Sequence, residues 1–236
     1  MVRLISYLGL LGLAFVTGFA FKQYEPFPYH EIQRLKNELL HGQAHFDITY
    51  SPFYKAKVSV FDTMQTTDVD VVMLGASHVE FGPWSELFPD HKIANRGVSG
   101  DTTIGVLRRL DNILKLNPKT VFFVIGGNDF NSDKRAVADT ADLYMETVDK
   151  LIDANLRVVM LSAPLWGQQY PVITQQLAEL NAEIEKRSKQ SKATYVDFNQ
   201  ALTDGTYLLD KYTYDGIHLN GPGYLIWADA MKPYMP

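Results

Sequence analysis

Residues 70–84 read DVVMLGASHVEFGPW. Val71, Val72, Met73 and Leu74 follow one another with no polar alternation, and the run stops at Gly75-Ala76-Ser77, directly before a histidine. A strand that is apolar on both sides belongs in a parallel sheet with both faces covered. Ligands of such sheets bind beyond the carboxyl ends of the strands. The stretch therefore indicates a fold class and, at its exit, a first candidate residue, Ser77.

Working outward, runs at 92–94, 120–125, 157–162 and 193–198 resemble the run at 69–74, giving five strands in all. The segments between them have helical spacing. Ile104, Leu107, Leu110 and Leu114 form one stripe, Val137, Ala141, Tyr144, Val148 and Leu151 a second, and Ile173, Leu177, Leu180 and Ile184 a third. Residues 51–64 read as a further helix, although Val58-Ser59-Val60-Phe61 fits either period, and a last helix follows Pro222. Strands alternating with helices predict an α/β domain, a three-layer α/β/α sandwich around a five-stranded parallel sheet in the flavodoxin-like order 2-1-3-4-5.

The 236 residues, 46% of them apolar, suffice for one sizeable domain of this kind. A net charge of −5 with both signs mixed lacks the basic stripe that holds a phosphate backbone, which excludes nucleic acid as a partner. With no cysteine, disulfides, thiolate metal sites and cysteine nucleophiles are excluded together, and the compartment stays open. Location is argued instead from the amino terminus. No charge falls between Arg3 and Lys22, and as a helix residues 4–21 reach about 27 Å, close to the roughly 30 Å hydrocarbon core. Two readings stand: a membrane anchor, or a secretory signal with small residues at Gly18-Phe19-Ala20. Both place the remaining chain outside the cytoplasm, in the periplasm of a bacterium. The chain then divides into an anchor or signal (1–23), a linker with a short amphipathic helix bearing Ile32, Leu35 and Leu39 (24–50), and the α/β domain (51–236).

With the first strand between the second and third, three glycine-containing loops converge: Gly75 to His78, NRGVSGDTT (95–103) and GGNDF (126–130). Each alone is ordinary turn or capping chemistry. Together they bring a serine hydroxyl and fixed N–H donors near one point, as acyl transfer requires. A base for Ser77 must come from six histidines. His78 is its neighbour, but adjacent side chains diverge. His41 and His45 have metal-ligand spacing, yet Gly42 weakens the helix this needs and no third ligand is near, so no metal is assigned. His30 and His91 have no distinguishing partner. His218, in YTYDGIHLNGPGY (212–224), follows Asp215 by three residues, close enough for the carboxylate to fix its tautomer. The alternative is that Asp215 starts a turn and His218 caps the last helix. Phe81, Trp84 and Trp166 fall in loops near the crevice, either lining it or packing beneath the loops.

These segments, in this order, resemble the SGNH hydrolases, or GDSL-type esterases, from about Ser51 to the carboxyl terminus. NRGVSGDTTIGVLRRLD (95–111) and DGIHLNGPGY (215–224) are similar above all to the branch of platelet-activating-factor acetylhydrolases and bacterial periplasmic esterases. The resemblance implies a catalytic Ser77, His218 and Asp215, an oxyanion hole from the backbone N–H groups of Ser77 and Gly100 with the Asn128 amide, and no cofactor. It further implies an acyl-enzyme and a small-molecule or glycan acyl ester as substrate. Two positions depart from the family: Ala76 replaces the usual Asp before the serine, and Gly127 a commoner threonine. Transfer of an acetyl group to a cell-surface polysaccharide, and a non-catalytic domain that binds glycan or a partner, are the alternatives. Nucleotide binding lacks its signatures, since no G-x-G-x-x-G follows the first strand, and Val79 breaks the G-x-S-x-G elbow.

Overall fold

Two strands buried along their whole length make the centre of the sheet. Val71–Gly75 (β1) and Thr120–Val124 (β3) are buried at every residue and pair in parallel, Val71 opposite Thr120 and Gly75 opposite Val124. Ile93–Gly97 (β2) flanks β1, while Arg157–Leu161 (β4) and then Thr194–Val196 (β5) continue beyond β3, so the order is 2-1-3-4-5 with every pair parallel. The computed structural model describes residues 47–64 and 68–236, whose compact unit runs from Asp47 to Pro236. The apolar run at 4–21, the segment through residue 46, and His30, His41 and His45 lie outside the described residues. Among the described residues no helix is long and apolar enough to cross a membrane.

Among the described residues the α-helices are Pro52–Thr63 (α1), Ser77–Glu80 (α2), Trp84–Leu87 (α3), Thr103–Arg108 (α4), Asp111–Leu114 (α5), Gly127–Asn131 (α6), Val137–Asp153 (α7), Pro171–Ser188 (α8), Asn199–Leu202 (α9) and Gly221–Met231 (α10). In α7, Ala141, Tyr144, Val148 and Leu151 are buried, and in α8 so are Leu177, Leu180 and Ile184, as their periodicity requires.

The stripe through Ile104, Leu107, Leu110 and Leu114 does not form one helix. The backbone leaves helical geometry at Arg109, and Val106, Leu110 and Ile113 are the fully inward residues. The Arg109 side chain turns into the core, where Nε donates to Asp101 Oδ2 at 2.8 Å and Nη2 to the Gly75 carbonyl at 3.1 Å. β2 extends past Ala94 through three residues that look too polar for a strand. Asn95 finds partners in Val79, Glu80 and Gly97, and the Arg96 guanidinium lies 4.8 Å from the Phe61 ring centre. Phe61 brings α1 onto the sheet together with Tyr54, whose hydroxyl donates to Gly105 O at 2.7 Å. Ile48, in the segment assigned to the linker, is buried and reaches within 3.1 Å of where a Cβ on Gly100 would lie.

The side chains of Asp101 and Arg109 are 0% and 1% exposed. Removing one partner of such a buried pair leaves an uncompensated charge, at a cost of about 3–5 kcal/mol. Asp101→Asn should therefore lower the urea unfolding free energy by about that amount, whereas Asp229→Asn, which breaks an exposed pair with Lys232, should change it by less than about 1 kcal/mol.

Candidate active site

The exit of β1 is crowded. A Cβ on Gly75 would lie 2.3 Å from the Val124 carbonyl oxygen, and one on Gly97 would lie 2.2 Å from the Glu80 nitrogen. Only glycine at both positions lets α2 cross the ends of β1 and β2 at this height. Ser77 is the first residue of α2, and the far end of that helix is fixed where Asn95 Nδ2 and Trp84 Nε1 both donate to the Val79 carbonyl at 2.8 Å.

The Ser77 hydroxyl is 2.9 Å from His218 Nε2, and His218 Nδ1 is 2.7 Å from Asp215 Oδ2. A carboxylate only accepts, so the ring hydrogen sits on Nδ1 and leaves Nε2 to accept from the serine. Burial opposes ionisation of Asp215, but the His218 ring and the backbone N–H groups of His218 and Ile217 outweigh it and hold the carboxyl at about 2. The carboxylate is thus charged throughout the neutral range. Asn220, not His218, caps α10, its Oδ1 accepting from Gly223 N at 3.2 Å; Asp215 also starts a turn, accepting on Oδ1 from Ile217 N at 2.8 Å and His218 N at 2.7 Å. Both readings of Asp215 hold at once, one for each oxygen.

Ser77, Gly100 and Asn128 line one cavity of about 280 Å³, with Val124, Ile125 and Ala163 among its apolar walls. Gly100 has a φ of +82°, and among the described residues neither its N–H nor that of Ser77 donates to any acceptor. Asn128 Nδ2 donates one hydrogen to the Asp101 carbonyl at 2.9 Å and so keeps a second one. The arrangement can relay a proton from a serine oxygen and present N–H donors beside it.

Several residues that hold this geometry have no local signal in the sequence. Glu80 accepts from Ser99 N at 2.7 Å and Ser99 Oγ at 2.6 Å and pairs with Lys57, tying the Gly100 loop to α2. Asp129 accepts from Thr103 Oγ1 at 2.6 Å and its backbone N–H, joining the third loop to the start of α4; burial pushes its carboxyl up to about 7 against those bonds. His78, next to Ser77 in the chain, lines the cavity and reaches the Ile217 carbonyl with Nε2 at 2.8 Å.

Of the three aromatic candidates, Phe81 is exposed and lines the cavity, and Trp166 lines it while almost wholly buried. Trp84 belongs to the core, packed edge-on against Tyr224 and Trp227. Trp166 also accounts for Gly127, since a Cβ there would lie 2.8 Å from the indole.

The chain belongs to the GDSL-like lipase/acylhydrolase family, whose model matches residues 75–226. Platelet-activating factor acetylhydrolase IB subunit alpha2 of Homo sapiens is 26% identical over 176 residues, which cover 70% of this chain and 73% of the relative. A GDSL-like lipase from Bacteroides thetaiotaomicron shares the fold with a TM-score of 0.68 at 24% identity, over 77% of this chain and 96% of the other. An acetyl xylan esterase does so with a TM-score of 0.62 at 19% identity, over 71% and 100%. The family agrees with the expectation from the motifs, and the flavodoxin-like sandwich with the expectation from periodicity.

Two outcomes follow from these contacts. Gly127→Thr should destabilise the fold by about 1–3 kcal/mol through overpacking, and Trp166→Ala in the same chain should recover part of that loss; additive losses in a double-mutant unfolding cycle would contradict the contact. Burial, reinforced by the neighbouring His218, pushes the His78 ring down from 6.5 to about 4, against the pull of the Ile217 carbonyl and Asp215. Between pH 6.5 and about 4 the unfolded chain takes up a proton at this residue that the folded chain does not, so its contribution to stability falls as the pH falls. The unfolding free energy of the wild type relative to His78→Phe should decline across that window; a flat difference would contradict it.

Proposed function

We propose that the protein is a serine ester hydrolase that removes short, acetyl-type acyl groups by way of an acyl-enzyme, outside the cytoplasm. The observation that carries this reading is the chain of contacts from Asp215 through His218 to Ser77 Oγ, at 2.7 and 2.9 Å, beside two N–H groups that donate to no acceptor among the described residues. His218 Nε2 takes the Ser77 proton as Oγ attacks the ester carbonyl, and the resulting imidazolium is held by the ionised Asp215. The oxyanion is received by the N–H groups of Ser77 and Gly100 and by the Asn128 amide, each such donor lowering the barrier by about 2.7–4 kcal/mol. His218 then returns the proton to the departing alcohol, and water, activated in the same way, releases the acid.

The size of the acyl group is argued from the cavity. At about 280 Å³ it lies below the usual range for drug-sized ligands, roughly 300–1,000 Å³, and its inner walls are apolar. The human relative is named an acetylhydrolase and one fold neighbour an acetyl xylan esterase, which supports an acetyl ester as the starting substrate class. The location is argued from the uncharged run at 4–21 behind Arg3.

The test is a hydrolysis series of p-nitrophenyl esters from acetyl to long-chain, with acetylated xylan oligomers beside it, on wild type and Ser77→Ala. Acetyl should be turned over fastest, kcat/KM should fall steadily beyond about four carbons, and Ser77→Ala should lose at least about a thousandfold. A fluorophosphonate should label the wild type at Ser77. Equal rates for the two proteins, or no adduct on the folded chain, would overturn the reading.

A further inference from the structure

His78 sits beside the serine but makes no hydrogen bond to it. Its Nε2 meets the carbonyl oxygen of Ile217, 139 residues further along the chain, at 2.8 Å. A carbonyl only accepts, so that nitrogen carries the hydrogen and the neutral ring is the Nε2–H tautomer. The oxygen it holds belongs to the peptide that links Ile217 to His218. The other side of the same peptide, the His218 N–H, donates to Asp215 Oδ1 at 2.7 Å. This one peptide plane is therefore held at both edges, by His78 on its oxygen and by Asp215 on its nitrogen, and the Cα of His218 hangs from it.

The clamp has its own support. The His78 carbonyl accepts from the Tyr224 hydroxyl at 2.7 Å, which ties α2 to α10. The His78 and His218 ring centres are 5.4 Å apart and Trp227 lies 6.5 Å away on another side, so the His78 ring has little room to rotate. Glu80, on the same short helix, is engaged with Ser99 and Lys57 and does not compete for the ring.

We infer that His78 is a positioning residue: by donating to the Ile217 carbonyl it sets the orientation of the His218 backbone, and hence the aim of Nε2 at the Ser77 hydroxyl. The inference rests on the Ser77 and His218 reading above. It assigns His78 no contact with substrate. Its effect belongs to the proton-transfer step, where small errors in aim are felt, and not to substrate binding.

The experiment compares His78→Phe, which keeps an aromatic ring but cannot donate, with His78→Gln, whose amide N–H can reach the same carbonyl. Acetyl ester kinetics, fluorophosphonate labelling rates and thermal unfolding are measured on both, with Ser77→Ala alongside. His78→Phe should lower kcat by about tenfold or more with KM changed by less than about threefold, and should slow labelling of Ser77 in the same proportion. His78→Gln should recover most of the loss. Three results would overturn the inference: kcat of His78→Phe within about twofold of wild type, a loss confined to KM, or His78→Gln as impaired as His78→Phe while both remain folded. Activity that survives in Ser77→Ala would instead overturn the underlying reading of the site, so the two failures are distinguishable.

Discussion

Arg109 brings a guanidinium into surroundings from which water is excluded, and the Asp101 carboxylate at 2.8 Å is what makes that tolerable. Desolvation pushes the Asp101 carboxyl up to about 6 even with Arg109 opposing it, so each charge depends on the other. The pair does more than neutralise itself. Arg109 Nη2 reaches the carbonyl of Gly75, two residues before Ser77, and the Asp101 carbonyl accepts the amide of Asn128. One buried ion pair thereby connects the ends of β1, β2 and β3, the three strands whose loops form the crevice. Gly105 completes the fit, since a Cβ there would run into Asp101 Oδ1 at 1.9 Å. Buried pairs add little net stability, but they penalise every arrangement in which the partners are apart, and here that penalty fixes the relative placement of the loops.

The same network bears on Ala76, where the family ordinarily has an aspartate. Ala76 supplies no side-chain cap to α2 and is packed against the core instead. The restraint it lacks is provided from outside the loop. Asn95 and Trp84 hold the Val79 carbonyl, Glu80 grips Ser99, and Arg109 holds Gly75. The turn at Gly75-Ala76-Ser77 is thus fixed by neighbours on both sides without a carboxylate at position 76.

How much was legible in the sequence divides by the range of the interaction. Unbroken apolar runs at β1, β3 and β4 and the stripes of α7 and α8 are local patterns, and the strand order 2-1-3-4-5 is expected from their alternation along the chain. Ser77, Gly100, Asn128, Asp215 and His218 could be singled out as candidates because their short segments, taken together, resemble one family's motifs. The break at Arg109 was not readable, because it depends on a carboxylate eight residues earlier being buried beside a carbonyl on another strand. Asn95 and Arg96 disguised half of β2 for a similar reason: their partners are Val79 and Phe61, which adjacency does not reveal. The reason for Gly127 is equally non-local, since the Trp166 indole occupies the space a threonine would need.

The segment that carries His218 shows why such sites need long-range backbone contacts. Residues 214–218 belong to no helix or strand, and a free loop would spread the imidazole over many orientations, at an entropic cost of about 1–2 kcal/mol for each residue that must be ordered. Here the neck is closed by antiparallel pairing of Thr213 with Leu219, and Thr213 Oγ1 accepts from Gly216 N at 3.0 Å. Gly167 N donates to Gly216 O at 2.6 Å, fastening the loop to the chain that follows β4, while His78 fastens it to α2. Gly216 takes part with a φ of +76°, a conformation in which a side chain would be strained, and a Cβ there would collide with Gln169. The ordering cost is therefore met when the domain folds, and Nε2 stands 2.9 Å from the Ser77 hydroxyl before any ester arrives. That preorganisation, more than the identity of any one side chain in the loop, is what holds two residues 141 positions apart within hydrogen-bonding reach.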